Sequence, residues 1–228
     1  MTTIKVFFDY VCPFCYLEFF ALKEAISGKD VKLELIPHEL RRPPVPKVDP
    51  MHDEMRLKRF DEVLAPEARK LGIPMELPWI SPHPYTTDTF LGFLFCRDRG
   101  LEIAYTEKVF LAFYVEQKDI GEMDVLKEIA ASLDLDPDAF EQEIRSRRQL
   151  PRLDALNSLS KDYEIKGIPV TFIGSQRLDG NHEPEVYSIV LESVQNQESE
   201  SGDVQPEIPS AGAVPPLGMA CGPDGNCG

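Results

Sequence analysis

Long apolar runs are missing from this sequence of 228 residues. No stretch approaches the ~20 consecutive apolar residues that span a bilayer. The first residues, Thr2, Thr3 and Ile4, lead directly into a short apolar segment, without the basic region and long apolar core of a signal peptide. We therefore expect a cytoplasmic protein without a membrane partner, in a compartment where thiols are kept reduced.

Positive charge is also scarce. The chain has 24 Lys and Arg against 39 Asp and Glu, which gives a formal net charge of −15. Such a chain as a whole repels nucleic acid and anionic membrane surfaces, so we expect no nucleic-acid partner. The few histidines are His38, His52, His83 and His182, and they form no recognisable metal-ligand spacing. We accordingly predict neither a metal site nor a cofactor.

What the sequence does contain is a cysteine pair, Cys12 and Cys15, between an apolar run at 4–8 and an amphipathic run at 17–26. That order indicates a strand, a tight turn and a helix. The unpaired N–H groups and partial positive charge of a first helical turn stabilise a thiolate at Cys12. Pro13 suits the first helical position. Because Cys15 shares a helix face with Cys12, it can attack the mixed disulfide that Cys12 forms. The alternatives are two zinc ligands or two inert buried thiols.

Three segments carry a family resemblance. Residues 7–16 have the sequence FFDYVCPFCY, residues 37–41 have PHELR, and residues 167–173 have GIPVTFI. In this order and spacing, over roughly residues 3–194, the chain resembles the thioredoxin-fold DsbA family, and its FrnE-like branch in particular. The resemblance implies a thiol–disulfide oxidoreductase or isomerase whose nucleophile is Cys12 and whose resolving cysteine is Cys15.

The resemblance also implies a substrate-binding surface. The family's proline at the position of Pro169 is cis and faces the dithiol, so a substrate strand could pair with the backbone of Ile168 while its disulfide meets Cys12. Pro13 and Phe14 complete the predicted substrate contacts. Phe14 stands where the branch has Trp and DsbA has His, so we do not expect strongly oxidising behaviour. Without the resemblance, the segment is typical of an ordinary strand-initiating proline.

The whole pattern predicts an α/β protein: a thioredoxin-like mixed sheet core, a large all-helical insertion and a flexible C-terminal tail. The predicted boundaries are 1–40 and 161–195 for the two halves of the core, 41–160 for the insertion and 196–228 for the tail. Prolines at positions 43, 44, 46 and 50 mark the first boundary. Within the insertion we predict one charged amphipathic helix over 52–71, followed by further helices through residue 163.

The tail carries a second cysteine pair. Residues 196–216 are rich in Glu, Ser, Gln, Pro and Gly and have no basic residue, which is typical of disorder. Cys221 and Cys227 follow, and a Pro-Asp-Gly turn sequence between them can bring them together. A flexible tether of ~25 residues spans roughly 25–30 Å, so its effective concentration at Cys12 is of order millimolar. We predict an internal redox partner for Cys12 and Cys15; a static local disulfide and a metal site are the alternatives.

Two other residues have more than one possible role. Asp9, three residues before Cys12, can accept hydrogen bonds from N–H groups of the turn, which is the role we predict. It could instead act as a proton acceptor near Cys15. Cys96 lies among apolar neighbours in a predicted helix, without a cysteine nearby, so we predict a buried structural thiol.

Two other functions fit parts of the sequence. A glutathione-dependent transferase or isomerase, resembling the kappa-class branch of the same fold, typically has Ser at the position of Cys12. A non-enzymatic zinc protein could use Cys12, Cys15, Cys221 and Cys227 as four thiolate ligands. We favour an enzyme that forms, breaks or rearranges disulfides in thiol- or disulfide-containing proteins and that exchanges electrons with an upstream redox partner.

Overall fold

A four-stranded mixed sheet lies at the centre of the computed structural model, which describes residues 1–49, 53–200 and 221. Its strands are β1 (Thr2–Phe8), β2 (Val31–Pro37), β3 (Val170–Ile173) and β4 (Gln176–Asp179), in the order β2-β1-β3-β4. β1 and β2 are parallel, whereas β3 is antiparallel to both β1 and β4. The central place of β1 explains its apolar sequence, and the predicted mixed sheet is confirmed.

The helices fall into a pair beside the sheet and a group inserted between β2 and β3. Their ranges are α1 (Pro13–Ala25), α2 (Glu54–Arg59), α3 (Ala65–Lys70), α4 (Thr87–Arg97), α5 (Glu102–Tyr114), α6 (Met123–Ala131), α7 (Pro137–Ser146), α8 (Leu150–Asp162) and α9 (Pro184–Glu200). α1 and α9 pack against each other. The predicted helical insertion, formed by α2 to α8, is confirmed.

The helix predicted over 52–71 changes its type along its length. A π-helical turn, Phe60–Leu64, joins α2 to α3, and Pro66 lies in the first turn of α3. Pro66 has no N–H to donate to the carbonyl four residues before it, and its ring crowds that carbonyl, so the backbone widens there. The segment is therefore helical over 54–70, as predicted, with a π-helical turn that the amphipathic pattern alone does not show.

An aromatic cluster fixes the turn after β1 to the insertion. Phe8 and Tyr10 pack on Phe90 of α4 and Phe110 of α5, with ring centroids 4.8–6.1 Å apart. All four rings are buried, and burial of one such side chain contributes about 1.5–3 kcal/mol. The Tyr10 hydroxyl lies 3.1 Å from the Thr106 hydroxyl. The segment that leads into the dithiol is therefore held by α4 and α5.

The described C-terminal part ends in α9, which continues to Glu200. Its last five residues belong to the segment that the sequence assigned to the tail. Residues 201–220 and 222–228, to which the prediction of a flexible tail applies, lie outside the described residues. In the part of the chain that the structure describes, no helix is long and apolar enough to cross a membrane.

Candidate active site

Cys12 is the N-cap residue of α1, with φ −89° and ψ 115°. Its N–H donates to the Asp9 carbonyl over 3.2 Å, and its carbonyl accepts from the N–H groups of Cys15 (3.1 Å) and Tyr16 (3.2 Å). Pro13 lies in the first turn, where its missing N–H leaves no donor unpaired. Cys12 and Cys15 are free thiols and both are buried. The structure thus places the two thiols at the start of one helix.

The segment before β3 contacts this dithiol. The Ile168–Pro169 peptide bond is cis, as the family resemblance implies. The Cys12 thiol donates to the Ile168 carbonyl over 3.6 Å, although the two residues are 156 positions apart. Because β3 begins at Val170, the proline falls outside the strand ladder. Cys12, Ile168 and Pro169 therefore share one site.

Cys221 extends this site. It forms an antiparallel bridge with Ile168, in which the Ile168 N–H donates to the Cys221 carbonyl (2.9 Å) and the Cys221 N–H donates to the Ile168 carbonyl (2.6 Å). Cys221 is 1% exposed and is disulfide-bonded. A tail residue therefore lies where an added strand would pair beside the Cys12 thiol. Cys227, the other cysteine predicted for this pair, lies outside the described residues.

A buried carboxyl, Asp9, accompanies the dithiol. Its Oδ2 accepts the Leu40 N–H over 2.7 Å, which ties the turn to the segment after β2. Its Oδ1 is buried and makes no hydrogen bond of normal geometry within the described residues. Burial raises the pKa of Asp9 to about 7, although the Leu40 N–H and the Thr86 hydroxyl lower it. Burial also raises the pKa of the Cys15 thiol, and the adjacent Cys12 sulfur adds to that shift.

A second buried carboxyl, Glu18, was not identified from the sequence. It lies on α1 and is fully buried, and its two oxygens accept the hydroxyls of Thr171 on β3 and Tyr187 on α9. Burial raises its pKa to about 7, although both hydroxyls lower it. The Tyr187 hydroxyl in turn accepts the His182 N–H at 2.8 Å. The sequence signal that could have identified Glu18 is its position as a charged residue within an apolar stretch of α1.

A cavity that the sequence also did not reveal opens beside Pro13 and Cys221. Four basic side chains line it: Arg41, Lys47, Arg56 and Arg59. The Nη2 of Arg56 lies 2.9 Å from the Nε2 of His83, another lining residue. Burial, with a further contribution from Arg56, lowers the pKa of His83 to about 3, so its ring is neutral and accepts this hydrogen bond. The available sequence signal was that two of these basic residues, Arg56 and Arg59, lie on a predicted helix of an otherwise acidic chain.

Other predicted residues have defined surroundings. Phe14 is fully buried, and its predicted contact with substrate stays a prediction. Cys96 is a free, buried thiol, and burial raises its pKa to about 12. Among the described residues, no three His, Cys, Asp or Glu side chains are grouped as metal ligands would be. Because Cys221 is disulfide-bonded, it offers no thiolate for the alternative four-cysteine zinc site in this state.

A dithiol at a helix start, a cis-proline segment against it and a mixed sheet define a protein of the thioredoxin fold. The DSBA-like thioredoxin domain matches residues 3–192 of the chain. The uncharacterized protein YwbO of Bacillus subtilis is 35% identical over 195 residues, which cover 85% of this chain and 98% of that protein. The chain therefore belongs to the family of DSBA-like thioredoxin domains.

Solved structures share the fold. A probable DsbA oxidoreductase from Streptomyces coelicolor superposes with a TM-score of 0.76 at 17% identity, covering 100% of this chain and 99% of that one. A 2-hydroxychromene-2-carboxylate isomerase gives 0.73 at 20% identity, covering 88% and 100%. The cytosolic disulfide reductase DsbM from Pseudomonas aeruginosa gives 0.67 at 20% identity, covering 86% and 99%.

Proposed function

We propose that this protein is a thiol–disulfide oxidoreductase that acts with Cys12 and Cys15 on disulfides of polypeptide substrates. The observation that carries the proposal is the bridge between Cys221 and Ile168, because it holds a disulfide-bonded cysteine beside the Cys12 thiol. Membership of the DSBA-like family and the likeness to a DsbA oxidoreductase and a disulfide reductase support this type of activity.

In the reducing direction, the substrate backbone pairs with Ile168 and the Cys12 thiolate attacks one substrate sulfur. A mixed disulfide forms, and the other substrate sulfur leaves as a thiolate. The Cys15 thiolate then attacks the Cys12 sulfur, which releases the second substrate thiolate and leaves a Cys12–Cys15 disulfide. Two electrons pass to the substrate, and the two protons lost by the enzyme thiols end on the substrate thiols. The reverse sequence oxidises a dithiol, and attack by another substrate thiol on the mixed disulfide gives isomerisation.

The second step requires Cys15 to lose a proton, which burial opposes. We assign the proton acceptor role to Asp9. The Cys15 sulfur interacts with the Asp9 backbone N–H and, electrostatically, with the Asp9 carboxyl, and the Asp9 Oδ1 has no hydrogen bond of normal geometry within the described residues. A carboxyl whose pKa is about 7 exchanges its proton readily at neutral pH.

The tail cysteines Cys221 and Cys227 are proposed as an internal redox partner of this dithiol. Cys221 lies on the backbone of Ile168, which also accepts the Cys12 thiol. A disulfide tethered there meets Cys12 at an effective concentration of order millimolar, so it competes well with dilute external partners. An upstream redox partner then returns the cysteines to their starting state, and we infer that this exchange takes place in the cytoplasm.

Cysteine variants test the oxidoreductase assignment. Cys12→Ser should abolish reduction of a protein disulfide such as that of insulin, and Cys15→Ser should accumulate a mixed disulfide that gel electrophoresis detects. Cys96→Ala removes a buried thiol outside the site and serves as the matched control, with activity near that of the parent. If Cys12→Ser reduced the disulfide as fast as the parent, the assignment would be wrong.

A double variant, Cys221→Ser with Cys227→Ser, tests the internal partner. We expect oxidation of the Cys12–Cys15 dithiol in the full chain to slow by about tenfold or more at micromolar external oxidant, because the tethered disulfide is lost. Stopped-flow mixing with trapping of free thiols measures this rate. An unchanged rate rejects the internal partner and leaves the assignment of Cys12 and Cys15 standing.

A further inference from the structure

The basic cavity beside the dithiol contrasts with the charge of the chain. The protein carries 39 acidic against 24 basic residues, yet four cations line this cavity against two carboxylates, Asp9 and Asp53. Asp53 is engaged as the N-cap of α2, where it accepts the N–H groups of Met55 (3.0 Å) and Arg56 (3.2 Å). The cavity is therefore a local positive region on an otherwise anionic molecule.

Three of these cations lack an ion pair in the described part of the chain. Among the described residues, Lys47, Arg56 and Arg59 have no carboxylate within ion-pair distance. Arg56 is half-buried, and its Nη1 is shielded from solvent without a hydrogen-bond partner in the described chain. Among the described residues, its one side-chain hydrogen bond joins Nη2 to the neutral ring of His83. A buried guanidinium nitrogen without an acceptor is costly, so an incoming anion has a reason to bind here.

The cavity is continuous with the strand-docking position. Cys221 and Pro13 are part of its wall, and Cys221 is the residue paired with Ile168. A cysteine docked on Ile168 therefore presents its neighbouring residues to the basic side chains. These basic side chains come from the segment after β2 and from α2, elements that do not carry the dithiol.

We propose that this cavity is a subsite for carboxylates that flank the reacting cysteine, so that the preferred substrate is an acidic cysteine peptide. The inference rests on the proposed function, because it names the substrate class of the same site. Arg56 supplies a buried guanidinium nitrogen as donor, and the half-buried Arg59 and the exposed Lys47 add positive charge to the lining. Planar guanidinium groups suit carboxylates because they donate two parallel hydrogen bonds.

Two matched peptides test the proposal. Both contain one intramolecular disulfide; one has Asp and Glu beside each cysteine, and the other has Asn and Gln at those positions. The reduced full-length protein is mixed with each, and chromatography gives the second-order rate constant for loss of the peptide disulfide. We expect the acidic peptide to react about tenfold faster, and the ratio to fall as salt screens the cavity. The same pair fused to a folded carrier protein distinguishes small from protein-borne substrates.

Charge-removing variants complete the test. Arg56→Gln should reduce the preference to about twofold, and the double variant Lys47→Gln with Arg59→Gln does the same job if Arg56→Gln does not fold. Arg69→Gln, an exposed cation on α3 outside the cavity, is the matched control and should keep the full preference. Equal rates for both peptides with the parent protein, or a preference that survives all cavity variants, overturn this proposal alone. If the parent reacts with neither peptide, the oxidoreductase assignment falls and the subsite with it.

Discussion

Asp9 and Glu18, the two buried carboxyls near the start of α1, have similar pKa values but different surroundings. Burial raises the pKa of both Asp9 and Glu18 to about 7. Both oxygens of Glu18 accept hydroxyl groups, whereas one oxygen of Asp9 makes no hydrogen bond of normal geometry in the described chain. A satisfied buried carboxyl anchors its neighbours, and an incompletely satisfied one beside reactive sulfurs can exchange a proton. The hydrogen bonds thus distinguish Glu18, an anchor, from Asp9, a reactive group, although their pKa values are similar.

Removing the anchor gives the largest expected effect. Glu18→Ala leaves the Thr171 and Tyr187 hydroxyls buried without their acceptor, so we expect a loss of about 4 kcal/mol in the free energy of unfolding. Urea denaturation at pH 6 measures it. Glu24→Ala, an exposed position on the same helix, is the control and should change stability by less than ~0.5 kcal/mol. Equal stability of the two variants would contradict the anchor role.

The pH dependence of stability gives the next effect. Between pH ~4.5 and ~7 the folded state keeps the Glu18 proton that the unfolded state has released, so the free energy of unfolding falls as pH rises through this window and levels off above it. The contribution of Glu18 is about 3 kcal/mol. Glu18→Gln should remove it and leave the similar fall due to Asp9, which urea denaturation from pH 4 to 8 would show. A slope identical to that of the parent argues against a buried, protonated Glu18.

The smallest expected effect concerns the second chemical step, in which Cys15 resolves the mixed disulfide. Asp9→Asn keeps the shape and an acceptor for the Leu40 N–H but cannot take a proton. We expect resolution of the mixed disulfide by Cys15 to slow by about tenfold and to lose its inflection near pH 7, while attack by Cys12 is unchanged. Single-turnover kinetics with a chromophoric disulfide resolve the two steps. The Glu18→Gln variant should retain the inflection near pH 7. If Glu18→Gln loses the inflection and Asp9→Asn keeps it, Glu18 is the proton acceptor and Asp9 the anchor.

Local signals predicted much of the fold. The apolar run before Cys12 became β1, and the amphipathic run after it became α1. Periodicity alone does not show where a single residue changes the helical type, as Pro66 does within the helix expected over 52–71.

The site was predictable only where its residues form sequence motifs. Cys12 and Pro169 lie in recognisable segments, and the structure brings those segments together. Glu18 depends on partners 153 and 169 positions away, so no local window contains its environment. The basic cavity joins residues from separate segments, Arg41, Arg56 and His83, and periodicity carries no information on which distant side chains converge.

The spacing of Cys12, Cys15 and Glu18 along α1 has a mechanical consequence. Successive members are three residues apart, so they rise by about 4.5 Å per step along the axis. The hydroxyls of Thr171 and Tyr187 donate hydrogen bonds to Glu18. These bonds prevent α1 from sliding or rotating relative to β3 and α9. Ile168 lies just before β3. The same two hydrogen bonds therefore fix the distance between the Cys12 sulfur and the backbone of Ile168, on which a substrate strand would pair. A substitution at Tyr187 would therefore misalign the Cys12 sulfur and the substrate backbone, even in molecules that stay folded.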